Sequence, residues 1–205
     1  MAQRADIRQN DDGGVLVEFA LVLPLFLVML MAVIDFGQIY LRWILAEKAT
    51  DLVARFAVVR PPICPGVPIF NDRTPGIPKT SPFGTSCTAS FFDLCENPGV
   101  VTCTGASATG DSFGDIFDAV NGLLPAGIEP ENISFTYSFA NLGFLGGPYV
   151  PLVSVELTGD VAVPYFTPLG PLLQTFYGGS GFGDLILPPM RATLPAEDLS
   201  EGGPG

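Results

Sequence analysis

Apolar and polar positions alternate differently in successive stretches of the chain, and each regime predicts a different element. From Val15 to Phe36 the run is apolar almost without interruption; its only charges are Glu18 and Asp35, and the sixteen residues Phe19–Ile34 carry none. A helix crossing a bilayer needs about 20 apolar residues, so this run with its flanks is long enough to span one. After Gly37 the spacing becomes helical and amphipathic. Leu45, Ala49, Leu52, Phe56 and Val59 recur at three- and four-residue steps, which predicts one apolar stripe. Glu47, Lys48, Asp51 and Arg55 fall on the other side, with Asp51 and Arg55 at i,i+4. The helix is therefore expected to continue as a stalk until Pro61–Pro62 ends it.

Residues 61–110 show neither period and are rich in Pro, Gly, Ser and Thr, which predicts a loop region. In Asp111–Pro125, Phe113, Ile116, Phe117, Val120, Leu123 and Leu124 return at helical spacing, so a short amphipathic helix is expected, with Asp115 and Asp118 on its solvated face. Period-two alternation then marks strands at Ile133–Ala140 and Leu152–Phe166, with a last extended piece at Leu185–Leu194. GGSGFGD at Gly178–Asp184 is a single glycine-rich stretch, read as a hairpin loop in preference to a calcium-binding repeat. The expected fold is α+β: a long N-terminal transmembrane and stalk helix, then a small disulfide-stapled domain with a short helix and an antiparallel sheet.

The two carboxylates change the picture of the apolar run. Placing a charge inside a span costs several kcal/mol, so such a residue is a functional candidate by default. Glu18 and Asp35 are 17 positions apart, which at ~1.5 Å per residue is roughly 26 Å, near the hydrocarbon thickness. On spacing alone both sit at headgroup level and face water, Asp35 more simply so than Glu18.

Composition narrows the function. The 205 residues have a net charge of −12, no histidine, 24 Gly and 20 Pro. Residues 1–60 hold six Lys/Arg and seven Asp/Glu, whereas residues 61–205 hold three and fourteen. So acidic a distal part lacks the basic footprint that nucleic acid or anionic lipid requires. Without histidine a Ser–His or Cys–His nucleophile is excluded, and no Walker or Rossmann glycine pattern is present. No catalytic, cofactor-binding or metal-binding residue stands out, so neither an enzyme nor a cofactor is expected.

Cys64, Cys87, Cys95 and Cys103 lie within forty residues just beyond the stalk. An even, clustered count beside a membrane helix suggests disulfides in an oxidising compartment, with three pairings open. Free thiols remain an alternative; zinc is disfavoured because there is no CxxC and no histidine. The cysteines favour an extracytoplasmic C-terminal domain, but Arg42, Lys48, Arg55 and Arg60 after the span, against Arg4 and Arg8 before it, favour the opposite orientation. The apolar run exceeds that of a cleaved secretory signal and no A-x-A-like site follows it, so the segment is expected to be retained.

A polar leader ends in Gly13, and Glu18 and Phe19 stand fifth and sixth counted from Gly14. This pattern resembles a class III signal peptide of type IV pilin-like proteins. With the continuation VEFALVLPLFLVMLMAVIDFGQIYL, and ALVLPLFL followed by Asp35-Phe36-Gly37 in particular, it is similar to the TadE-like family of pseudopilins of tight-adherence (Flp) pilus systems. The resemblance implies processing at Gly13, Gly14, Glu18 and Phe19 by a prepilin peptidase. It also implies a single-pass location in the bacterial inner membrane, contact with lipid, other pilins or pseudopilins and the Tad assembly machinery, and possible entry into the pilus. The segments then read as a leader at 1–13, transmembrane and stalk helix at 14–60, a cysteine-containing loop region at 61–110, an extracytoplasmic α+β domain at 111–195 and a disordered tail at 196–205. Cleavage after Gly13 would place a new ammonium on Gly14 one helical turn from the Glu18 carboxylate, or opposite the glutamate of a neighbouring subunit. A carboxylate in a first helical turn is also favoured by the helix dipole alone. The competing reading is an unprocessed single-pass envelope protein with an extracytoplasmic binding domain.

Overall fold

The computed structural model describes residues 12–77, 79–89, 93–108, 112–158, 162–178, 184–197 and 199. Most of the leader, most of the glycine-rich 178–184 stretch and most of the tail lie outside the described residues. Helix α1 runs Asp12–Val58, without a break where the apolar run gives way to the stalk. The other elements are β1 (Val101–Thr104), α2 (Ser112–Val120), β2 (Ile133–Leu142), β3 (Val150–Leu157), β4 (Ala162–Pro164), α3 (Leu169–Tyr177), β5 (Asp184–Ile186) and β6 (Met190–Pro195). The fold is thus a long apolar N-terminal helix followed by a small antiparallel domain with short helices and two disulfides. The chain forms two compact units, one of residues 1–41 with 162–185 and one of residues 42–161 with 186–205.

The larger unit is built on an antiparallel sheet of order β1-β2-β3-β6. The alternation seen in the sequence sets its two faces. Ile133, Phe135 and Tyr137 of β2 are buried and pair in register with Leu157, Val155 and Val153 of β3, also buried. Each such side chain contributes roughly 1.5–3 kcal/mol by leaving water. On the opposite face one row reads Thr102, Thr136, Ser154 and Thr193 across all four strands. Hydroxyls in it lie 3.4 Å apart for Thr102 and Thr136 and 2.7 Å apart for Ser154 and Thr193.

Helix α2 forms within the expected stretch, with Phe113, Ile116 and Val120 buried and Asp115 and Asp118 exposed, but it ends at Val120, short of Leu123 and Leu124. The Phe113 ring meets Phe135 edge-on at 5.6 Å. Gly105 allows this approach, because a Cβ there would collide with the Phe113 ring.

Three sequence expectations need correction. The buried side of the stalk is Ala46, Ala49, Thr50, Val53, Ala54, Ala57 and Val58, while Leu52 and Val59 are exposed and Leu45 and Phe56 half-buried. The small side chains, not the large ones, mark the packed side, because they let the helix backbone approach its neighbours closely. Asp51 pairs with Lys48, at 3.7 Å, on the turn before it, not with Arg55 as its spacing suggested. The alternating stretch Leu152–Phe166 is not one strand: β3 ends at Leu157, and β4 pairs with β5 in a separate two-stranded sheet.

Candidate functional site

The first turns of α1 carry the residues singled out for processing. Gly13 and Gly14 have open space where a side chain would stand. Glu18, one turn after Gly14, is exposed, as is Phe19 at 62%. The first two turns of α1 thus carry the glycine pair, the carboxylate and the aromatic ring, with Glu18 and Phe19 exposed among the described residues. Leu21, Leu25 and Met29 are exposed by 74%, 74% and 68%. Among the described residues this is the one helix long and apolar enough to cross a membrane, with a mean hydropathy of 2.7 over its most apolar window, none of which is buried within the protein. Pro24 lies within the helix and removes the hydrogen bond an N–H at that position would give the Ala20 carbonyl, a site where membrane helices tolerate a bend.

At the other end of the apolar run the structure departs from the simple reading. Asp35 is 1% exposed and does not face water. Its Oδ1 accepts hydrogen bonds from the backbone N–H groups of Phe166 at 2.9 Å and Thr167 at 2.8 Å, and its Oδ2 accepts one from the Thr167 hydroxyl at 2.5 Å. Three donors, two of them fixed in the backbone, offset the cost of burying a carboxylate. Thr167 Oγ1 also accepts from the Leu169 N–H at 3.3 Å, so the same side chain caps the start of α3. Sequence reasoning missed this partner, which lies 131 positions away. The uncharged character of 161–183 was the available signal.

The cysteines pair as Cys64–Cys103 and Cys87–Cys95. The first closes the segment after α1 onto β1, and beside it the Ile63 N–H donates to Tyr137 Oη at 3.1 Å. Burial pushes the Tyr137 phenol up, partly opposed by that N–H, and burial alone pushes Tyr149 up to about 12. The second disulfide sits in a satellite core of Cys87, Leu94, Cys95 and Leu145, against which Ile77 and Phe139 pack. A cleft of about 340 Å³ in the larger unit is lined by Trp43, Glu47, Thr50, Asp51 and residues 188–191. Among the described residues no group of three or more Cys, Asp or Glu side chains is placed to hold a metal ion.

The long exposed apolar helix fits a membrane-anchored protein. Residues 13–55 match the family described as TadE-like protein. The match lies within α1. No curated protein and no solved structure matches the chain.

Proposed function

We propose that the protein is a TadE-like pseudopilin, a membrane-held structural subunit that is processed after Gly13 by a prepilin peptidase and acts in Tad (Flp) pilus assembly. One observation carries this reading. The family match begins at Gly13, where the open glycine pair precedes an exposed Glu18 by one turn. Glycine at the cleaved position lets the backbone enter a protease site, and the freed ammonium on Gly14 gives Glu18 a partner within its own chain or on a neighbour. The two disulfides support an extracytoplasmic position for the domain, in preference to the orientation suggested by the basic residues after the span.

The reading fixes the register of the cut, because only a mature chain starting at Gly14 puts glutamate fifth. N-terminal peptide mapping of protein extracted from membranes is expected to find that start. A mature chain still beginning at Met1 or Ala2 would leave the unprocessed, permanently anchored envelope protein as the better account.

A further inference from the structure

Residues 161–183 contain no charged residue, in a chain whose net charge is −12. Within the smaller unit this stretch forms β4, the turn that bonds Asp35, and α3. Phe166 and Phe176 are 75% and 77% exposed there, while Leu169 is buried. On α1, Phe36 and Tyr40 are exposed by 62% and 58% just past Asp35. Leaving such rings in water forgoes roughly 1.5–3 kcal/mol apiece.

The level at which these rings stand follows from the helix. Asp35 closes the uncharged core of α1, roughly 26 Å along the axis from Glu18 at ~1.5 Å per residue, so it marks one border of the hydrocarbon. Three hydrogen bonds hold Phe166 and Thr167 at that border. Trp and Tyr are enriched at this depth in membrane proteins, and in segments that lie in the interface Phe and Leu form the apolar side that enters the acyl boundary.

We propose that Ala162–Tyr177 is a membrane-interfacial foot, lying in the headgroup–acyl boundary of the bilayer that α1 crosses, with Phe166 and Phe176 entering the lipid. Bilayer lipid is the occupant because the hydrogen bonds from Phe166 and Thr167 to Asp35 hold this segment beside α1 at the residue that closes its uncharged core. Having no basic residue, the foot binds by apolar burial and not by attraction to anionic headgroups, so zwitterionic lipid suffices. The proposal needs the membrane anchor and does not depend on processing at Gly13.

The test uses the full chain with Trp43→Phe and, one at a time, Phe166→Trp, Phe176→Trp or Leu25→Trp, reconstituted into phosphatidylcholine vesicles brominated near the headgroup or near the chain end. The reporters at 166 and 176 are expected to emit at blue-shifted wavelengths, to lose more than half their intensity to the shallow bromines and to lose less to the deep ones. Emission typical of water-exposed indole, without quenching, overturns the proposal. So does blue-shifted emission that neither bromine quenches, since protein would then cover the patch. The reporter at 25, midway along the span, should be quenched best by the deep bromines. If it is not, the anchor itself fails, a result distinguishable from failure of the foot alone.

Discussion

The two units of this protein invert each other's chemistry. In the smaller one many large side chains lie outside while a carboxylate lies inside: Leu25 and Phe176 are exposed by 74% and 77%, whereas Asp35 is 1% exposed. The larger unit keeps Phe135, Tyr137, Val153 and Val155 at 1% exposure or less and leaves Asp115, Asp118 and Arg191 at the surface. Among the described residues, Asp35 is the one buried charged side chain in the chain. The difference teaches what each unit relies on. The larger holds itself together in water by apolar burial and covalent staples; the smaller has a polar interior contact and awaits an apolar surrounding.

Breaking the staples should produce the largest effect, and in the larger unit. The Cys64–Cys103 link spans 39 positions and the Cys87–Cys95 link spans 8. Loop-closure entropy then gives about 4 kcal/mol for the first and about 2.5 kcal/mol for the second. Urea unfolding of the paired Cys→Ser variants should rank them in that order. Equal losses would mean that the satellite core around Cys87 and Leu145 matters as much as the junction between helix and sheet.

Next comes the interior contact of the smaller unit. Asp35→Ala removes the acceptor for the Phe166 and Thr167 amides. It should cost about 2 kcal/mol of local stability, roughly 30-fold faster amide exchange in peptides covering 162–178. Peptides from β2 and β3 should exchange as in the wild type. Equal acceleration in both places would show that the two units unfold together, and the contrast would lapse.

Much of this contrast was legible in the sequence. The apolar run is a matter of length and composition, which need no tertiary information, and Ile133–Ala140 alternates because one face of β2 is buried. The short helix α2 announces itself through Phe113, Ile116, Phe117 and Val120. Other features depend on contacts distant in sequence and leave no local period. Strand β1 is four residues long and is held by pairing with β2 and by Cys103. Helix α3 starts after Pro168 and contains Gly170 and Pro171, residues that argue against a helix interior when read locally. The stalk's packed side was found only in part: Ala49 stood in the expected stripe and is buried, but Leu52 and Val59 were counted for their size, whereas alanines at 46, 54 and 57 allow the close approach. At the candidate site, the order of Gly13, Gly14, Glu18 and Phe19 could be read directly. The partner of Asp35 and the choice of cysteine pairs could not, since both are fixed only when the chain folds.

A smaller effect is expected at Tyr137. Tyr137→Phe removes the acceptor of the Ile63 N–H and should cost about 1 kcal/mol. The phenol also makes the larger unit sensitive to alkali. A group whose folded pKa is raised stabilises fully below its unfolded value, near 10, and its contribution is lost as pH climbs toward the folded value. Tyr137 and Tyr149 are both raised, the latter to about 12. Stability should therefore fall from about pH 10 upward, and less steeply in Tyr137→Phe. Urea midpoints measured across that range, with phenolate absorbance followed in parallel, check the sign. A variant as steep as the wild type would assign the loss to Tyr149.

The smallest effect tests whether charges on the larger unit's surface are as dispensable as the contrast requires. Lys48 and Asp51 are 3.7 Å apart at i,i+3, with side chains 67% and 46% exposed. An exposed pair of this kind is screened by water and salt and must hold two flexible side chains, so it contributes about 0.3 kcal/mol or less. The order also works against it, because a cation N-terminal to its acidic partner is the weaker arrangement with respect to the helix dipole. Lys48→Ala should leave the urea midpoint nearly unchanged, and raising the salt concentration should not separate variant from wild type. A loss above about 1 kcal/mol would mean that Lys48 acts through the cleft where Glu47 and Asp51 lie beside Trp43 and Arg191. The surface of the larger unit would then carry structural charge of its own, as the interior of the smaller unit does at Asp35.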